Sequence, residues 1–141
     1  PIGYAQGHED TIPLSIINHK INNEKTVYFD YNNIYETLYI LKNATLYIGT
    51  SLHGAITAIS YGIPHFALTN KIKKLVDFLE TWGTTDIIYS DADKISDNYE
   101  KINQNYSDFK KKVETKRKKM IKLVDENFQK INQIILEENN E

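Results

Sequence analysis

One block of the chain leaves little freedom of fold. Thr45-Leu46-Tyr47-Ile48 is a short, nearly continuous apolar run. Strands of that kind belong in parallel sheets, where both faces are covered. Gly49-Thr50-Ser51-Leu52-His53-Gly54 then turns the chain. Ala55 to Tyr61 follows as a compact helix, and its small residues Ala55, Ala58 and Ser60 permit close packing on a sheet. Gly62-Ile63-Pro64 stops it, and His65 to Leu68 is the next strand. Strand, helix and strand in so short a span predict a βαβ unit with a right-handed crossover.

The flanking sequence continues the alternation. Residues 1–10 read as the end of a strand and a Gly-containing loop, with Asp10 as N-cap of a helix over roughly 11–22. Thr26 to Asp30 is β-branched and aromatic, a strand pattern. Residues 32–42 have helical spacing, with Ile34, Leu38 and Leu41 on one stripe. Tyr31, Tyr35 and Tyr39 recur at i, i+4 and i+8. Packing within the domain is their expected use, and stacking on a sugar is the alternative. A helix over 71–80, ended by Trp82-Gly83, a short strand Ile87-Ile88-Tyr89 and a helix over about 91–103 complete the pattern.

The fold predicted for residues 1–106 is therefore α/β, a Rossmann-like three-layer domain with a parallel sheet of about five strands. Residues 107–141 are predicted to add a long amphipathic C-terminal helix packed on the same domain. Phe109, Val113, Met120, Val124, Phe128, Ile131 and Ile135 trace its apolar stripe, interrupted at Arg117.

Composition and charge remove several function classes. The net charge of -2 lacks the basic balance of a nucleic-acid binder, so no nucleic-acid partner is expected. Cysteine is absent, which excludes a disulfide framework, a thiolate metal site and a Cys nucleophile. No apolar run approaches the ~20 residues of a membrane span. The chain starts at Pro1 without a signal peptide, so a cytoplasmic piece of a longer protein, or a processed product, is expected.

The chain has 20 Ile, 16 Lys and 14 Asn but a single Arg, Arg117, a skew expected of AT-rich coding. Charge in the tail is ordered. Residues 110–122 hold seven Lys and one Arg against one Glu, net +7, whereas residues 125–141 hold five acids against one Lys, net -4. This order opposes the helix macrodipole, which favours acids first and bases last. A solvated face is the default expectation. The sharper one is a phosphate-rich partner or a peripheral contact of helix 110–122 with the anionic inner face of a membrane.

Ligands of open α/β sheets bind at the carboxyl ends of the strands. That edge collects the loops 3–10, 30–33, 49–54, 69–74 and 89–93. His8 and His53 fall on it, His19 lies inside a helix, and His65 starts a strand at the opposite edge. No tight set of metal ligands appears, so no metal is expected.

In the 49–54 loop, Gly49 allows a sharp turn and close approach of a ligand, and Thr50 and Ser51 offer hydroxyls. The helix starting near Leu52 would present free N–H groups to an anion such as phosphate. His53 adds an imidazole, a group able to give or take a proton near neutrality, and Gly54 leaves space beside it. Otherwise, His53 caps the helix or fills a packing gap. Asn70 and Lys71 in the next loop, with Lys73 and Lys74 behind them, would complement an anion. His8 and Asp30 are further cleft candidates.

A Ser51-His53-Asp30 triad lacks the Gly-x-Ser-x-Gly elbow. Neither a Walker A motif nor a Gly-x-Gly-x-x-Gly fingerprint is present. Asn43-Ala44-Thr45 and Asn105-Tyr106-Ser107 match the glycosylation pattern by chance.

Ile48-Gly49-Thr50-Ser51-Leu52-His53-Gly54-Ala55, followed by Ala58 and Tyr61-Gly62-Ile63-Pro64, resembles the polysaccharide pyruvyl transferase family. Tyr35 to Tyr47, the run Leu68-Thr69-Asn70-Lys71 to Leu79, Trp82-Gly83 and the long last helix fit as well, so the resemblance takes in about residues 30–136. It implies the C-terminal half of a two-domain GT-B-like enzyme, whose missing N-terminal domain is a required partner. It implies transfer of pyruvyl from phosphoenolpyruvate to a saccharide acceptor of a cell-surface polysaccharide, with no other cofactor.

By the same resemblance His53 is the active-site histidine. Gly49, Thr50, Ser51, Leu52, Gly54, Asn70 and Lys71 line the donor. Many members carry Arg where this chain has Ser51, which opens the question of the donor. The alternatives are a GT-B glycosyltransferase domain taking a nucleotide sugar, and a non-catalytic scaffold of polysaccharide assembly.

Overall fold

The computed structural model describes residues 11–21, 23–29, 33–83 and 86–138. Helix α1 spans Thr11–Ile21, α2 Ile34–Lys42, strand β1 Tyr47–Gly49, α3 Leu52–Ser60, β2 His65–Ala67 and α4 Lys73–Trp82. A 3-10 turn, Ala92–Lys94, leads into α5, Ile95–Gln104, and α6 runs from Tyr106 to Glu138.

The βαβ unit forms as its residues dictate. Tyr47, Ile48 and Gly49 pair in parallel with His65, Phe66 and Ala67. Ser51 caps α3 from an extended backbone, its Oγ accepting the Gly54 N–H at 3.2 Å. At the other end Gly62 takes a left-handed φ of 66°. The Gly62 N–H donates to Ile59 O at 2.9 Å, and the Ile63 N–H to Ala58 O at 2.7 Å. This pair of bonds is the Schellman stop, which favours glycine at its turning residue. In α2, Asn33 is the N-cap, its Oδ1 accepting the Glu36 N–H at 3.1 Å.

Both faces of the small sheet are covered. Ala67 packs with Ala55 of α3 and with Leu75 and Leu79 of α4, and Tyr47 lies against this cluster. Phe66 packs on the other side with Ile87, with Ile102 of α5 and with Phe109 of α6, and Ile48 lies against that cluster. The strands therefore sit between two helical layers.

Among the described residues the expected five-strand sheet is not present. The described sheet has two strands, and Tyr89 adds one parallel bridge to Ala67. Two hydrogen bonds make that rung, Ala67 N–H to Ile88 O at 2.9 Å and Ser90 N–H to Ala67 O at 2.8 Å. Thr26 to Phe29 is not assigned to the described sheet, and Val27 is 83% exposed. Its residues have strand propensity, but propensity of this kind reflects packing on neighbours and does not by itself assign a strand. The strand end expected in residues 1–10 lies outside the described residues.

The tyrosines also depart from expectation. Tyr35 and Tyr39 do not pack inward. They are 78% and 71% exposed and line a shallow depression with Phe29. Tyr31 lies outside the described residues.

Part of the basic run of α6 is engaged on the body and is not a solvated face. Arg117 Nε donates to Ser60 O at 2.7 Å and Lys110 Nζ to Gly62 O at 2.6 Å. Lys116 Nζ reaches Thr81 O at 3.4 Å. These cations meet the carbonyl ends of α3 and α4, where the helix dipole is negative. Lys112 pairs with Asp108 at 3.2 Å and Asp86 at 3.7 Å. The interruption of the apolar stripe at Arg117 is thus a tertiary contact. Among the described residues, no helix is long and apolar enough to cross a membrane.

Candidate active site

Parallel pairing sends the segments after β1 and β2 to the same sheet edge. The Leu68 N–H donates to Gly49 O at 3.1 Å and joins the two loops directly. Gly49 to Gly54 and Thr69 to Lys71 are therefore neighbours. Thr69 Oγ1 accepts the Lys71 N–H at 3.1 Å, which turns the second loop. Asn70 and Lys71 are exposed, and among the described residues no hydrogen bond joins either of them to His53.

The first turn of α3 starts at this edge. Ser51 Oγ takes the Gly54 N–H, and Ala55 N–H bonds to Ser51 O at 3.1 Å. The Leu52 and His53 N–H groups are left as the free donors of that turn. His53 is exposed, and its carbonyl accepts Thr57 Oγ1 at 2.8 Å. Ser51, not His53, is the cap, and an exposed ring fills no packing gap. Thr50 is exposed as well. Ser51 thus acts first as a cap, which occupies one of the oxygen lone pairs expected for a ligand.

α4 begins nearby without a side-chain cap, and it has no acid in its first turn. Lys73 and Lys74 occupy that turn instead. Cations at a helix N-terminus are unfavourable, and an anion bound there would relieve them. The edge so combines two helix N-termini, an exposed imidazole and a group of lysines.

The glycines of the loop have a different role from the one expected. A Cβ at Gly49 or Gly54 would overlap the Tyr47 hydroxyl. The space beside both is taken by this phenol and not left open for a ligand. Tyr47 Oη also accepts a hydrogen bond from the Ser51 backbone N–H. Burial raises the Tyr47 pKa above the usual 10.0, and the Ser51 bond partly offsets this, so the group stays a neutral phenol. Tyr47 thus underlies the whole loop. The sequence signal was available: Tyr47 and Gly49 stand two apart on a strand, hence on one face, and the small residue makes room for the large one.

His65, set aside as an edge residue, is 1% exposed. Its Nδ1 bonds to Ile63 O at 2.9 Å, whereas Nε2 is buried without a hydrogen-bond partner. Burial lowers its pKa below the usual 6.5, against the smaller opposite effect of the Ile63 carbonyl. His19 is exposed on α1, and His8 and Asp30 lie outside the described residues. Among the described residues no three His, Asp or Glu side chains gather as a metal cage.

The candidate edge is distinct from a large groove of about 550 Å³ between Gly83, Asp86 and the lysines of α6. It is also distinct from the aromatic depression beside Tyr35 and Tyr39. Chemistry, not cavity size, singles it out.

The family model of polysaccharide pyruvyl transferase matches residues 3–72. That span takes in α1 to β2, including the whole 49–54 loop, Asn70 and Lys71. It reaches further toward the N-terminus than the resemblance read from the motifs and stops before α4, so the downstream run and α6 stand outside it. No curated protein and no solved structure matches the chain. Over residues 3–72, which carry His53 and the glycine loop built on Tyr47, the chain belongs to the polysaccharide pyruvyl transferase family.

Proposed function

We propose that this chain forms the donor-binding half of a pyruvyl transferase that takes phosphoenolpyruvate as donor and a polysaccharide sugar as acceptor. One observation carries the proposal. An exposed imidazole, His53, stands on the first turn of a helix whose N-terminus opens at the carboxyl edge of a parallel sheet, within the segment matched to the family.

The reaction asks for what such an edge offers. Phosphoenolpyruvate carries a carboxylate and a phosphate. Its methylene carbon gains a proton, and its central carbon then takes the oxygen of a sugar hydroxyl, which gives up its own proton. The bond from the central carbon to the phosphate oxygen breaks, phosphate leaves, and a second hydroxyl closes the ketal. Two anionic groups must be held, and protons must move in both directions. The free Leu52 and His53 N–H groups, Thr50, Asn70 and Lys71 supply donors and charge for the first task. The imidazole of His53 suits the second. Lysine, hydroxyl and backbone donors here do the work that an arginine at position 51 would share.

The test uses the full-length protein with phosphoenolpyruvate and a saccharide acceptor, and phosphate release is followed. His53→Ala is expected to lower turnover by about 10²-fold or more, the usual worth of a positioned acid/base, with an unchanged melting curve. Near-normal turnover would remove His53 from the chemistry. Thermal stabilisation by a nucleotide sugar, with none by phosphoenolpyruvate, would overturn the donor assignment.

A further inference from the structure

The stripe that seats Phe109 and Val113 in the core does not end where the core ends. From Ile121 onward α6 leaves the body, yet the stripe continues through Val124, Phe128, Ile131 and Ile135, all of them exposed. The steps of four, three and four from Val124 to Ile135 are those of a seam between two paired helices. A continuous apolar face of this kind marks a contact surface.

The charges along the same helix name its occupant. Lys110, Lys112, Lys116 and Arg117 are engaged on the body. Lys118 and Lys119 form no ion pair among the described residues, and Lys122 meets only Glu126, an exposed i,i+4 pair at 3.6 Å. At the far end the sequence places Glu137 and Glu138 in the last turn, where the helix dipole disfavours acids, and Glu137 has no ion pair among the described residues. The unused cations and these acids therefore lie at opposite ends of one apolar face. A parallel partner with the same sequence would set like charges against each other. An antiparallel one sets each acidic end beside the other's basic end. A two-fold axis produces this pairing from identical surfaces.

We propose that a second copy of this chain covers the face. The two α6 helices pair antiparallel along residues 121–138, so that Glu137 and Glu138 of each copy lie beside Lys118, Lys119 and Lys122 of the other. The overlap is centred between Gln129 and Lys130, so that Phe128 of one copy faces Ile131 of the other and Val124 faces Ile135. The pairing stands whether or not the donor assignment does.

Sedimentation velocity of the 141-residue chain over a concentration series is expected to show a monomer–dimer equilibrium. Phe128→Glu with Ile131→Glu is expected to abolish the dimer and leave the circular dichroism of the body unchanged, because both residues lie outside the core. Lys118→Glu with Lys119→Glu and Lys122→Glu should be monomeric alone. It should regain a dimer when mixed with the Glu137→Lys, Glu138→Lys chain, in which every unlike pair is restored.

The absence of native cysteine makes orientation readable. Val124→Cys mixed with Ile135→Cys should cross-link on oxidation, and Val124→Cys alone should not. A monomer at every concentration overturns the proposal, as does a dimer indifferent to both sets of variants. Self-cross-linking of Val124→Cys, the signature of a parallel pair, overturns it too.

Discussion

At the scale of single residues, the loop that carries His53 is shaped from below by Tyr47. Its phenol fills the room left by Gly49 and Gly54 and accepts the Ser51 N–H. A methyl group added at position 54 overlaps the phenol oxygen, so Gly54→Ala is expected to cost roughly 1–3 kcal/mol, as overpacking does. Tyr47→Phe alone loses one hydrogen bond, about 1 kcal/mol. The overlap takes in the oxygen and the ring carbon that bears it, so Tyr47→Phe relieves only part of it, and the double variant should be more stable than the sum of the two losses by that part. A urea-denaturation cycle checks this, and strict additivity would mean that the two residues do not meet.

His65 gives stability a pH dependence. Its folded-state pKa is lowered by burial, so below about pH 6.5 the unfolded chain binds the proton first and stability falls with pH. Above that value the contribution is complete. Urea midpoints across this range should show a slope that shrinks in His65→Gln, and an unchanged slope would clear His65 of the effect. The sequence placed His65 correctly at a strand start and His53 at a helix start. It left Tyr47 unremarked because a tyrosine in an apolar strand reads as core, and only the fold shows which small residues its ring meets.

At the scale of elements, the body and the stop of helix α3 were legible, whereas its cap Ser51 was read as a ligand hydroxyl. Ser51, the small residues between, and Gly62-Ile63-Pro64 act within a few residues of one another, and their geometry is local. The strands were less legible. His65 to Ala67 and Tyr47 to Gly49 pair, whereas the equally strand-like Thr26 to Phe29 is not among the strands of the described sheet. A strand is half of an interaction, and the other half is not written in its own residues.

Helix α6 was predicted nearly to its bounds, but its two halves differ in kind. Phe109 is buried and Phe128 is exposed on the same stripe. Phe109→Ala should lower stability by about 3–5 kcal/mol. Phe128→Ala should leave the monomer's stability nearly unchanged. Thermal melts at a concentration where the chain is monomeric separate the two, and equal losses would show that the outer half also packs on the body.

At the scale of the whole molecule, the layer arrangement survives the loss of the wide sheet. Two paired strands and one extra rung suffice to hold α3 and α4 on one side and α5 and α6 on the other, because Ala67 and Phe66 point to opposite faces. The candidate site needs only that much: one parallel pair brings the 49–54 and 69–71 loops to one edge.

The amino-acid sequence by itself determined the βαβ unit, the helix that begins near Leu52 and is stopped by Gly62-Ile63-Pro64, the family motif around His53, and the existence of a long amphipathic last helix. All of these follow from local patterns: caps, periodicities and turn residues a few positions apart. Only the tertiary structure decided how many strands pair, which residue lies under the glycine loop, and why the basic run precedes the acidic one. Those depend on groups far apart in the chain. The carbonyls of Ser60 and Gly62 meet Arg117 and Lys110 across roughly fifty residues of sequence, and no periodicity announces that meeting in advance.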